Sequence, residues 1–168
     1  AVSRISAFIF ALDGTLGDAE RLKALSYANV VGNLTGARTP DHRVIELYER
    51  IVGSTDEMVC RQMIEEFSIS ESLEPIDGEI WKHLHQIRMD DYRDNDGAPE
   101  QLQANVYQHN VDLLRNQKSI GRTVSVATSS FGDEAKRVLD ALGIRVLLAD
   151  VVGRDSVRNP QPHPEHYL

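Results

Sequence analysis

The 168-residue chain has a single cysteine, Cys60, so no disulfide can form within it. Its stability must come from an apolar core, and such cysteine use fits a reducing compartment such as the cytoplasm. No apolar run approaches the ~20 residues that a membrane-spanning helix needs, so no membrane partner is expected. The short apolar stretch near the N-terminus has no basic region ahead of it and reads as a strand, not a signal peptide. Positive charge is also scarce. There are 18 Lys and Arg against 26 Asp and Glu, a formal net charge of −8. A surface of that sign repels nucleic-acid phosphates and anionic lipid alike. It still permits a small anionic ligand, because a local pocket can oppose the global field.

What is present is organised around Ile5 to Leu16, an apolar run of strand length that ends in Ala11-Leu12-Asp13-Gly14-Thr15-Leu16. An acid at the tip of a buried strand is a poor packing choice and a good chemical one. In open α/β sheets, ligands gather beyond the carboxyl ends of the strands. After this strand the periodicity is helical. Leu22, Leu25, Ala28 and Val31 predict a helix from Asp18 to about Thr35. Further helices are expected from about Asp41 to Val52, from Thr55 through Phe67, and from Glu79 to Arg93. Ile69 to Gly78 reads as a loop. The breaker run Asp94-Asn95-Asp96-Gly97 precedes one long helix from about Pro99 to Ser119. Val124 to Thr128 is a second strand. Ser130 and Asp133 resemble a capping box for a helix that ends near Leu142 and Gly143. Ile144 to Val152 holds one or two short strands, and a proline-rich loop at 159–164 leads into the first turn of a helix.

The fold class that follows is α/β: a Rossmann-like parallel sheet interrupted by an all-helical insertion. The core is expected at 1–17 and 97–168, and the inserted helical domain at 18–96. Cys60 sits in a helical pattern and reads as packing. His83 and His85 cannot share a helix face, so no zinc site is expected there. His163 and His166 read as loop or surface residues.

The motifs carry a resemblance. Ile5 to Leu16 is similar to motif I of the haloacid dehalogenase (HAD) superfamily, an apolar strand followed by Asp-x-Asp-Gly-Thr-Leu. Val124 to Thr128 resembles motif II, an apolar strand ending in Thr or Ser. Pro162-His163-Pro164-Glu165-His166-Tyr167-Leu168 resembles motif III. The wording is most similar to the β-phosphoglucomutase and phosphoglycolate phosphatase branch, whose helical cap is inserted after motif I. A fourth, acidic motif would lie downstream of Leu168.

The resemblance implies a phosphatase or phosphomutase acting on a small phosphorylated metabolite through an aspartyl-phosphate intermediate. It implies general acid–base work for Asp13 and phosphate contacts around Gly14, Thr15, Thr128 and Ser129. The start of the helix after Ser130 would add its dipole. Mg²⁺ would sit at Asp13, between the nucleophile and the downstream acid. Two positions depart from the pattern. Ala11 stands where the family has its nucleophilic aspartate, and Gln161 where it has its lysine. A methyl group cannot attack phosphorus, so little or no turnover and weak or absent metal binding are expected. Lys23 lies where related phosphomutases often carry a substrate-contacting histidine. It is kept as a candidate substrate contact, although its helix position reads as solvated. The alternative is a non-catalytic phosphate-ester-binding or interaction protein on the same scaffold. A receiver-like signalling domain also uses an acidic strand end, but the long helical insertion counts against it.

Overall fold

The computed structural model describes residues 5–37, 40–159, 161 and 163–168. The chain divides into two compact units, Ala1–Ala19 with Pro99–Leu168, and Glu20–Ala98.

The first unit is α/β. Strands β1 (Ala7–Phe10), β2 (Thr123–Ala127) and β3 (Val151–Val152) form a parallel sheet in the order β1-β2-β3. Register runs from Ala7 opposite Thr123 to Phe10 opposite Val126, and Ala127 faces Val152. Parallel neighbours cannot be joined by a hairpin. A helix, α7 (Gly132–Ala141), therefore joins β2 to β3. Its Ala135, Val138 and Leu139 recur at helical spacing and are buried. With Val124, Val126, Leu12, Leu16 and Ile144 they belong to the buried apolar core of this unit. Burying each aliphatic side chain of this size stabilises by about 1.5–3 kcal/mol.

The single helix expected from Pro99 to Ser119 is two, α5 (Pro99–Ala104) and α6 (Gln108–Ser119). Periodicity runs through the break, but tertiary pairing interrupts it. Val106 bridges antiparallel to Gly17. The Tyr107 amide donates to Leu16 O at 3.0 Å, and Asn105 O accepts from the Asp18 amide at 2.9 Å. Satisfying the backbone of the 14–18 loop takes precedence over carrying the helix through Asn105, Val106 and Tyr107.

The second unit holds α1 (Ala19–Thr35), α2 (His42–Ile51), α3 (Asp56–Glu66) and α4 (Ile80–Asp94). Tyr27, Ala28, Val31, Val44, Cys60, Met63 and Leu84 are buried in its core. Asp41 caps α2 by accepting from the Arg43 amide, and Thr55 caps α3 by accepting from the Met58 amide. The loop expected at 69–78 contains one 3-10 turn, Ser70–Ser72. The strands expected after Ile144 reduce to β3, preceded by a 3-10 turn at Arg145–Leu147. The first turn expected at the last residues is also 3-10, Pro164–Tyr167.

Candidate functional site

At the tip of β1 the chain turns sharply. Leu12 O accepts from the amides of Thr15 at 3.2 Å and Leu16 at 2.8 Å. Gly14 has φ +70, a region that L side chains rarely adopt, so an Asp-Gly pair suits this turn. Leu12 is buried as the anchor, which leaves Ala11 exposed and Asp13 half-buried. The Asn110 side chain donates to Thr15 O at 2.8 Å and fixes the far side of the turn.

The tip of β2 meets the same point. Thr128 and Ser130 are 4 % and 7 % exposed. Ser130 Oγ donates to Asp13 Oδ2 at 2.7 Å, and Thr128 Oγ1 donates to the same oxygen at 3.4 Å. Thr128 Oγ1 in turn accepts from the Ser130 amide at 3.1 Å. The structure thus brings Asp13 and Thr128 together, as the sequence predicts, and adds Ser130. Ser129 is exposed, and it is Ser130, one residue on, that reaches the aspartate.

Three other expectations need correction. Ser130 does not form a capping box, because its hydroxyl is committed to Asp13. The N-cap of α7 is Phe131, without a side-chain bond. The first amide of α7 is engaged within the chain: Gly132 N–H donates to Asp155 Oδ1 at 2.8 Å. Lys23 is not a solvated lysine. It is 7 % exposed, and its ammonium pairs with Glu20 Oε1 at 3.1 Å within the helical unit. His166 is 3 % exposed and not a surface residue, whereas His163 is exposed and accepts from the Glu165 amide.

Gln161 is exposed, and its Nε2 donates to Tyr167 Oη at 2.8 Å. The surrounding loop is held by Glu165, whose carboxylate accepts from the amides of Arg158 at 2.9 Å and Asn159 at 3.0 Å. The Arg158 N–H, more than any other group, keeps the Glu165 carboxyl below the usual carboxylate range. No such signal was available for Ser130 or Asp155. One Ser-Ser pair reads as well as its neighbour, and Asp155 lies in a loop of unremarkable composition.

The donors present do not fit Mg²⁺. Among the described residues no group of three or more His, Cys, Asp or Glu is placed to hold a metal ion. Asp13 is the carboxylate joined to this strand-tip cluster, and Ala11 presents a methyl group. Mg²⁺ demands near-octahedral oxygen ligation, so no chemical step is assigned to it. Cys60 is buried in the helical unit, as expected, and burial pushes its thiol up to about 11. No helix among the described residues is long and apolar enough to cross a membrane.

The fold and the sequence have relatives among known proteins. A phosphorylated carbohydrates phosphatase of Thermotoga maritima is 27 % identical over 164 residues, spanning 98 % of this chain and 68 % of that protein. A predicted phosphoglycolate phosphatase from Haemophilus somnus superposes with a TM-score of 0.76 at 20 % identity, over 99 % of this chain and 70 % of that one. A β-phosphoglucomutase from Clostridium difficile gives a TM-score of 0.67 at 19 % identity, over 97 % and 68 %. Such identities show the fold. The profile of the haloacid dehalogenase-like hydrolases matches residues 8–168, and the chain belongs to that family.

Proposed function

We propose that this chain binds the phosphoryl group of a small phosphorylated metabolite of the sugar-phosphate class and turns it over little or not at all. The observation that carries the reading is the strand-tip cluster. Asp13, Thr128 and Ser130 are joined by hydrogen bonds at the carboxyl ends of two parallel strands, while Ala11 holds the nucleophile's position. The T. maritima relative, named for phosphorylated carbohydrates, supports the ligand class. Covalent transfer through an aspartyl-phosphate needs a carboxylate oxygen at position 11, and a methyl carbon has no lone pair to offer. Asp13 keeps a place suited to acid–base work, but position 11 offers no nucleophile for it to serve. Gly14, Thr15 and Ser129 would offer backbone or hydroxyl groups to the ligand.

On this reading the helical unit, taken as 18–96, is a cap domain inserted into the sequence of a core of 1–17 and 97–168. Lys23 stays a candidate substrate contact, its ammonium paired with Glu20. The lone, buried Cys60 favours a cytoplasmic setting.

Incubation with an aryl phosphate and Mg²⁺ should give no hydrolysis above the blank. Robust hydrolysis that Asp13→Asn abolishes would overturn the inactive reading. Hydrolysis gained by an Ala11→Asp, Gln161→Lys double variant would support a disabled enzyme scaffold. Absence of phosphate-ester binding in calorimetry would favour an interaction protein instead.

A further inference from the structure

The loop after β3 runs beside the loop after β2 and is tied to it at three points. Thr128 N–H donates to Val152 O at 3.0 Å, Arg154 N–H to Ser130 O at 2.9 Å, and Gly132 N–H to Asp155 Oδ1 at 2.8 Å. The approach is too close for a side chain at 153. A Cβ on Gly153 would lie 2.6 Å from Gly132 N and 2.7 Å from its Cα. This clamp fixes where Arg154 leaves the backbone. Its guanidinium lies over the Phe131 ring, 5.9 Å from the centroid, and makes no ion pair among the described residues. Phe131 is 45 % exposed and follows Ser130 directly. The Arg154 backbone is thus anchored by one hydrogen bond to Ser130, the residue that grips Asp13.

Charge balance gives that placement meaning. A phosphoryl group at the strand tips would meet the Asp13 carboxylate on a chain of net charge −8. Gln161 supplies no charge, and its amide is engaged with Tyr167. A dianion beside a carboxylate needs a cation, and guanidinium matches phosphate oxygens in bidentate fashion.

We propose that Arg154 is the cationic clamp of this site, gripping the phosphoryl group of a small phosphate ester where motif III has no lysine. The inference rests on the phosphate-binding reading above. Calorimetry with inorganic phosphate and with glucose 6-phosphate, at low and high KCl, tests it in the wild type, Arg154→Gln, Arg154→Lys and Thr128→Val. Arg154→Gln should weaken binding on the order of tenfold or more. Arg154→Lys should restore part of that, since ammonium keeps the charge and loses the fork. Wild-type affinity should fall with added KCl, and Arg154→Gln should lose most of that dependence. Circular dichroism and thermal midpoints of both Arg154 variants should match the wild type. If Arg154→Gln disturbs the fold, the comparison of Arg154→Lys with the wild type at the two salt concentrations decides. Equal affinities at low salt would then count against the fork. Wild-type affinity in Arg154→Gln, with loss in Thr128→Val, would overturn the clamp and leave the phosphate site standing. A wild type that binds neither probe would overturn both.

Discussion

Polar groups are buried on different terms in the two units. In the α/β unit Thr128 and Ser130 are buried just past the end of a strand and both bond to Asp13. In the helical unit Tyr27 and Arg88 lie apart from any such cluster and meet soft or aromatic neighbours. Tyr27 Oη sits 3.4 Å from Cys60 Sγ, and the Arg88 guanidinium, 2 % exposed, lies over the rings of Tyr27 and Tyr92 at 4.9 and 5.2 Å. Dispersed polar groups of this kind add packing area while keeping partners. A concentrated cluster leaves hydrogen-bonding capacity directed at one point. That capacity is what a ligand can use, so chemistry is read from the first unit and stability from the second.

The contrast can be broken most directly in the helical core. Leu84→Ala removes a fully buried side chain and should cost about 2–5 kcal/mol, read as a drop in the denaturation midpoint. A loss under about 1 kcal/mol would mean that this core collapses around a cavity. The next effect is alkaline. Burial, ahead of every other influence, raises the Cys60 thiol from 9.0 to about 11, so the unfolded chain loses that proton first. Stability is therefore intact below about pH 9 and falls as pH rises toward 11, by about 3 kcal/mol in all. Burial also lifts Tyr27 and Tyr48, but their ordinary value is 10.0, so the slope just above pH 9 belongs to Cys60. Cys60→Val should flatten that part of the stability curve, and an unchanged slope would assign it elsewhere.

Ser130→Ala sharpens the comparison from the other side. Losing a charge-assisted bond to Asp13 should cost about 1.5 kcal/mol in stability, together with phosphate binding. Unchanged binding would show that the cluster is structural. The smallest effect is on the acid side. Glu165 holds its loop with a lowered carboxyl, so its contribution is present at neutral pH and lost as pH falls through that lowered value. The Asn159 amide, followed by NMR during acid titration, should shift with Glu165 and stay still in Glu165→Gln.

The elements themselves were largely legible. Apolar runs marked β1 and β2, and the three-four spacing marked α1 to α4 and α7 within a residue or two. Asp13 and Thr128 were legible for the same reason, since each is the polar residue that ends an apolar strand. What escaped was set by partners remote in sequence. The α5–α6 break depends on Gly17 pairing with Val106, which no local pattern contains. Ser130 and not Ser129 faces Asp13 because the turn after β2 fixes the register, and neighbouring serines look alike. His166 is buried and Lys23 paired because of what packs around them.

The pairing of Gly17 with Val106 also bears on the entropy of the chain. Asp18 N–H on Asn105 O ties the strand leaving β1 to the segment that follows α5, all within the α/β unit. The helical residues between are therefore a closed loop whose two feet are stapled side by side. Closing so long a loop costs little more than closing one half its length, because the penalty grows only with the logarithm of length. A fold tied off in this way can exchange one inserted module for another with small thermodynamic consequence for its sheet.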